Sequence, residues 1–229
     1  MKFFKKNVFL IISLFFITSW SSPKSEVFLI GDSISVQYYP YLKSYIADFA
    51  ILERKTDDGQ AEKNLDVPVG ANGGNSRMVL EYLRAKLKEP TFKPDYLLLN
   101  CGLWDIIRRD PAEAIQITED DYRKNLTEIV QMLHHKDIKP IWIRTTFVVD
   151  SIHNARANSF KRYEADLLKY NAIADDICCE NKIPSIDLYT FSKQLGAEHF
   201  TDHVHYDQHA QALQAAYIAG FLQKILKSY

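Results

Sequence analysis

Val27-Phe28-Leu29-Ile30-Gly31-Asp32-Ser33-Ile34-Ser35 is the stretch whose reading decides the fold. Its four leading residues are apolar and β-branched at both ends, the pattern of a short strand buried on both faces of a parallel sheet. Gly31 permits a tight turn after the strand, and the turn delivers Ser33 at its tip. A serine at the carboxyl end of a buried parallel strand is well placed to be a nucleophile. The competing reading is that Asp32 and Ser33 merely cap the next helix.

Working outward, the chain alternates strands and helices. Pro40 is expected in the first turn of a helix running towards Phe49, with a second strand from Phe49 to Arg54. A long polar connection, Lys55 to Gly74, shows no element of its own, and loops of that length are usually functional. It ends in Gly70-Ala71-Asn72-Gly73-Gly74-Asn75-Ser76, where a helix begins with Leu80, Leu83 and Leu87 inward. Further strands are read at Tyr96–Asn100, Pro140–Thr145 and Ile183–Leu188. Helices follow Thr118 and Ser159, the first opened by a capping-box pattern with Asp121, and a last one spans Asp207–Leu226. This order gives a parallel sheet covered on both sides, with ligands bound outside the carboxyl ends of its strands. The long loops 55–74, 105–117, 146–159 and 189–206 all follow strand ends.

With 229 residues and a net charge of −1, the chain makes one well-buried α/β domain, without the basic excess of a nucleic-acid binder. The first 22 residues differ: Lys2, Lys5 and Lys6 precede an apolar core from Val8 to Ile17, then Ser19-Trp20-Ser21-Ser22. That is the order of a secretory signal, cleaved near Ser21/Ser22, and the core is short for a membrane span. The expectation is an exported protein, periplasmic or extracellular, with its domain at 23–229 and no stable membrane insertion after processing. Cys101, Cys178 and Cys179 form no disulfide framework and are expected to be buried structural thiols.

Thr201-Asp202-His203-Val204-His205 precedes the last helix. A serine nucleophile needs a base, and the base needs a carboxylate to fix its tautomer. His205 and Asp202 could supply both from one loop. With these blocks the sequence resembles the GDSL/SGNH hydrolase superfamily. Gly31-Asp32-Ser33-Ile34 matches its first block, Gly74 the glycine of its second, and Asp202 with His205 its closing Asp-x-x-His. The resemblance implies a flavodoxin-like, three-layer α/β/α sandwich and a serine esterase without cofactor. It also implies Ser33 as nucleophile, His205 as base and Asp202 as its orienter, with the N–H groups of Ser33 and Gly74 receiving the oxyanion. The implied substrate is a small-molecule or glycan ester, acetyl above all.

The third block departs from the family's Gly-x-Asn-Asp, reading Gly102-Leu103-Trp104-Asp105. Losing one oxyanion donor typically costs about 10²–10³ in kcat. Trp104 is expected to line the pocket, together with Asn72, Arg77 and Arg108. Arg109, Arg144 and Arg156 also fall near strand ends, where they could meet a carboxylate-bearing substrate, internal pairing being the alternative. The altered block keeps open a catalytically weak glycan-binding domain or an acyltransferase. The second glycine of the α/β-hydrolase elbow is missing after Ser33. His203-x-His205-x-Asp207-x-His209 resembles a metallo-β-lactamase run but is one residue too long and opens a helix, so no metal is expected. His203 and His209 are expected at the surface beside the catalytic loop.

Overall fold

The computed structural model describes residues 23–226, apart from 57, 111–113 and 158. The secretory signal read at 1–22 lies outside the described residues. Five parallel strands form one sheet: β1 (Ser25–Ile30), β2 (Ala50–Arg54), β3 (Tyr96–Leu99), β4 (Lys139–Ile143) and β5 (Ser185–Ile186), in the order β2-β1-β3-β4-β5. Among the described residues the α-helices are α1 (Ser33–Tyr45), α2 (Gln60–Lys63), α3 (Ser76–Lys86), α4 (Glu119–His135), α5 (Asp150–Arg156), α6 (Glu164–Asn181), α7 (Leu188–Leu195) and α8 (Gln208–Leu226). α1 packs on α8 and α8 on α7, while α3, α4 and α6 pack side by side. Right-handed crossovers from this strand order place those two sets on opposite faces of the sheet.

Val27, Leu29, Ile30, Leu97, Leu98, Ile141 and Ile143 are all nearly inaccessible, which is why β1, β3 and β4 read as continuous apolar runs. The strand order reverses between β1 and β3, the point where ligands bind in open sheets of this kind. There the pairing continues past the strands. Gly73 N donates to the Gly31 carbonyl at 2.7 Å and Asn100 N to the Ile30 carbonyl at 3.0 Å, so the loops after β1, before α3 and after β3 converge.

Several boundaries differ from the sequence reading. α1 begins at Ser33, not Pro40, because the Asp32 side chain caps it by accepting from Ile34 N at 3.0 Å. Pro40 therefore sits inside the helix, and the Val36 carbonyl it leaves unpaired receives a long 3.5 Å bond from Arg54. The 55–74 connection contains the single turn α2, and 146–159 contains α5. β5 is only two residues, since Asp187 starts α7 by accepting from Thr190 N at 3.1 Å. Thr118 caps α4 as expected by accepting from Asp121 N at 3.1 Å, and the Asp121 carboxylate accepts from the Thr118 hydroxyl at 3.0 Å. Cys101 and Cys178 are buried free thiols, whereas Cys179 is exposed, contrary to expectation. Among the described residues no helix is long and apolar enough to cross a membrane.

Candidate active site

The helix cap and the candidate nucleophile are divided between neighbours. Asp32, not Ser33, caps α1, and Ser35 Oγ ties the turn by donating to the Asp32 carbonyl at 2.6 Å. Ser33 is the first residue of α1, so its N–H has no intrahelical acceptor and its side chain is free of the cap. Its Oγ lies 2.9 Å from His205 Nε2, and His205 Nδ1 lies 2.6 Å from Asp202 Oδ2. The three residues expected to act together are thus one hydrogen-bonded chain.

The loop bearing Asp202 and His205 is fixed by its own backbone. Asp202 Oδ1 accepts from Val204 N at 2.8 Å and His205 N at 2.9 Å, and Thr201 N donates to the His205 carbonyl at 2.8 Å. Gln37 on α1 bonds both the N–H and the carbonyl of Tyr206 at 3.1 Å, latching this loop to the helix that carries Ser33. Burial pushes the Asp202 carboxyl up, but the His205 hydrogen bond, its charge and the two backbone donors win and hold it well below the usual carboxylate range. A carboxylate held ionised against Nδ1–H leaves Nε2 as the bare nitrogen facing the serine, so the chain can move a proton from Ser33.

The second and third blocks are locked together by one buried contact. Asp105 Oδ1 accepts from Ser76 N at 2.8 Å, and burial pushes its carboxyl up to about 7. Gly102 has φ +155°, and a Cβ there would come within 2.5 Å of Thr145 Oγ1, so only glycine lets β3 end against β4 here. Gly74 has φ +71°, but its N–H does not stand free. It donates to Asn72 Oδ1 at 3.0 Å, an Asx turn spanning two residues. Asn72 is fully buried, and its amide N–H reaches back to the Leu65 and Val67 carbonyls at 3.4 Å. It shapes the second block and does not line a pocket, which corrects the sequence reading.

A family model described as the GDSL-like lipase/acylhydrolase family matches residues 29–213. The chain belongs to this family. Comparison with curated protein sequences returned no match. Among solved structures, the chain resembles a lipase/acylhydrolase from Enterococcus faecalis, with TM-score 0.64 and 19% identity over 87% of this chain and 96% of that one. It also resembles the acetyl xylan esterase AlAXEase, with TM-score 0.62 and 16% identity over 86% and 98% of the two chains. A variant of the acetyl xylan esterase Axe2 from Geobacillus stearothermophilus gives TM-score 0.58 and 16% identity over 88% and 95%. At such identities the likeness establishes a shared fold.

Within this GDSL-like frame, several expected pocket residues are otherwise engaged. Arg108 forms a two-point ion pair with Asp166 at 2.9 and 3.1 Å, so it is an internal brace and not a substrate contact. Arg144 pairs with Asp175 and Asp187, and Arg156 donates to the Asp202 carbonyl at 2.7 Å, bracing the loop that carries His205. Arg77 on α3 and Arg109 are exposed. Trp104 is buried, its ring centroid 6.0 Å from that of Phe160, and its indole N–H makes no hydrogen bond among the described residues. Two clefts of about 500 and 620 Å³ lie away from the triad, one around Ile138 and Lys182, the other between the end of α1 and α8.

Three residues beside the site, Asp66, His153 and Arg162, escaped the sequence reading. His203, expected at the surface, is buried, with Nε2 2.9 Å from Asp66 Oδ1 and Nδ1 3.0 Å from His153 Nδ1. His209 is exposed as expected. Burial, then the charges of Arg162 and His203, push His153 down to about 3. A neutral His153 donating from Nδ1 lets His203 donate to Asp66 and leaves only a bare His153 Nε2 without a partner. Donor atoms of Asp66, His203 and His205 lie within 4.8 Å of one another. A cation there would compete for nitrogens already used by Asp66 and Ser33. The third, Arg162, is 2% exposed and donates from Nε to the Leu103 carbonyl at 2.6 Å. Asp66 lies on the long 55–74 loop, the one signal that could have drawn attention to it.

Proposed function

We propose that this chain is an exported serine ester hydrolase that removes an acyl group, acetyl above all, from a carbohydrate-type alcohol. The observation that carries the reading is the hydrogen-bonded chain Ser33–His205–Asp202 at the carboxyl end of β1, with contacts of 2.9 and 2.6 Å. His205 Nε2 takes the Ser33 proton as Oγ attacks the ester carbonyl, and the oxyanion that forms meets the Ser33 N–H. The Gly74 N–H, the second donor the family resemblance implies, is held by Asn72 Oδ1 at 3.0 Å. The tetrahedral intermediate collapses as His205 returns the proton to the leaving alcohol. Water, deprotonated by the same nitrogen, then releases the acid and the free serine. Asp202 keeps its place on Nδ1 throughout and stabilises the imidazolium. This chemistry needs no cofactor. Membership of an acylhydrolase family supports ester cleavage, and two acetyl xylan esterases among the similar folds support acetyl as the first acyl group to try. Export rests on the order of charge, apolar core and small residues in 1–22.

The engaged Gly74 N–H and the tryptophan in the third block favour one rival, a glycan-binding domain with weak turnover. A panel of acetylated sugars and chromogenic acyl esters, offered to the purified protein, separates the two. The proposal expects saturable release of acetate from at least one acetylated sugar. Binding of sugars with no release from any ester would support the rival.

A further inference from the structure

Arg162 is a buried cation without an ion-pair partner among the described residues. Desolvating a guanidinium is costly, and proteins normally offset that cost with a carboxylate in contact. Here the contacts are different. Nε bonds the Leu103 carbonyl, and the guanidinium carbon lies 4.6 Å from the Phe160 ring centroid and 5.5 Å from that of Trp104. One edge of the plane is thus anchored, and two neighbouring aromatic rings pack against the guanidinium. The two Nη nitrogens have no partner among the described residues, yet they are not among the buried orphan atoms sealed from solvent. A rigid guanidinium with a free Nη edge is a ready binding group for an oxyanion.

Its position says which one. Leu103 immediately precedes Trp104, so Arg162 is fastened to the loop on which the third-block side chain stands. The charges felt by Arg162 are those of Asp32, Asp66 and Asp202, the carboxylates beside Ser33, His203 and His205. Meanwhile the Gly74 N–H is engaged by Asn72, and Trp104 carries no amide, so the Ser33 N–H is the backbone donor that stands free. We infer that Arg162 is a catalytic residue of this site: an Nη–H, oriented by the Leu103 carbonyl and by the rings of Phe160 and Trp104, donates to the tetrahedral oxyanion. The inference rests on the reading of Ser33 as nucleophile and deepens it. No bond to Arg162 forms or breaks, and its proton stays on the guanidinium while charge appears and disappears on the substrate oxygen.

The test is steady-state kinetics of Arg162→Met and Arg162→Lys beside the parent and Ser33→Ala. Two substrates are used, the neutral 4-nitrophenyl acetate and an acetylated uronic acid. Arg162→Met is expected to lose about 10²–10³ in kcat on both esters, with KM changed less than about threefold. Arg162→Lys, which keeps charge and most of the volume, should lose at least about tenfold, because one ammonium cannot hold Leu103 and reach the oxyanion together. It carries the test if the methionine variant fails to fold. Guanidinium ion at millimolar concentration should restore part of kcat to Arg162→Ala without activating the parent, a response that a purely structural role would not give. Folded Arg162 variants with kcat within about fivefold of the parent would overturn the inference. So would a loss confined to KM for the uronic acid ester, which would make Arg162 a reader of substrate carboxylate. An inactive parent, or activity retained in Ser33→Ala, would instead defeat the serine esterase reading itself.

Discussion

Replacing Asp202 by asparagine separates what the carboxylate does for the loop from what it does for the histidine. In the parent, Oδ1 accepts two backbone N–H bonds, at 2.8 and 2.9 Å, while Oδ2 accepts from His205 Nδ1. An asparagine keeping its oxygen on the backbone must turn its NH₂ towards Nδ1. The ring then carries its proton on Nε2, facing Ser33, and cannot act as base. Flipping the amide restores the useful tautomer but sets NH₂ against two backbone donors. Leaving those unsatisfied costs about 1–3 kcal/mol each, so the competent arrangement is populated at roughly one part in 30 to one in 10⁴. Asp202 is 43% exposed in its side chain, so loss of its charge adds a solvent-screened term that is left out of this range. Asp202→Asn should therefore lose about 10²–10⁴ in kcat/KM while melting close to the parent. Asp202→Ala should show the reverse order: it melts lower because both N–H groups lose their acceptor, yet water can receive Nδ1–H, so it keeps more activity than the asparagine variant. Chromogenic ester kinetics with thermal melts measure both. Asp202→Asn within about tenfold of the parent in kcat/KM would refute the reasoning.

Trp104→Phe keeps most of the ring and removes the indole donor; kcat should change less than about tenfold, and a fall of about 10² or more with the fold intact would make the indole an oxyanion donor. Treatment with a strong chelator should leave activity unchanged, and stoichiometric zinc whose removal and return switch activity off and on would contradict the serine reading. Burial raises Asp105 from 3.8 to about 7, so the folded chain holds a proton that the unfolded chain releases at lower pH. That contribution is complete below the unfolded value and is lost as pH rises to about 7. Asp105→Asn should accordingly gain stability relative to the parent between those values, by at most about 4 kcal/mol. Melting curves across that range measure it, and a difference that does not vary with pH would show that Asp105 titrates normally.

The parts of the fold that could be read from sequence are those where one strong local pattern meets no competitor. The apolar runs of β1, β3 and β4 are buried on both faces, so alternation was never needed to find them. Asp202 and His205 stood out because the orienter and the base sit three residues apart on one loop, and Ser33 because a strand ends just before it. Pro40 misled because a proline signals a first turn, whereas the Asp32 cap had already begun the helix. α5 and α7 were missed because helices of two turns carry too few residues to show a period. The residue types Asn72-Gly73-Gly74 suit an Asx turn, yet the family resemblance implies a free Gly74 N–H, and only the fold shows Asn72 Oδ1 accepting from it. Asp66, His153 and Arg162 come from three separate segments, and only tertiary folding brings them beside His203 and Trp104.

Covalent labelling tests the central claim most directly. The purified protein is incubated with a serine-reactive phosphonate ester, digested, and its peptides are sequenced by mass spectrometry, with Ser33→Ala treated in parallel. The account predicts about one phosphonyl group per chain, located on Ser33, with loss of esterase activity in step with labelling. It also predicts no label and no activity in a Ser33→Ala variant that melts like the parent. A label on another residue, or full esterase activity in Ser33→Ala, would contradict it.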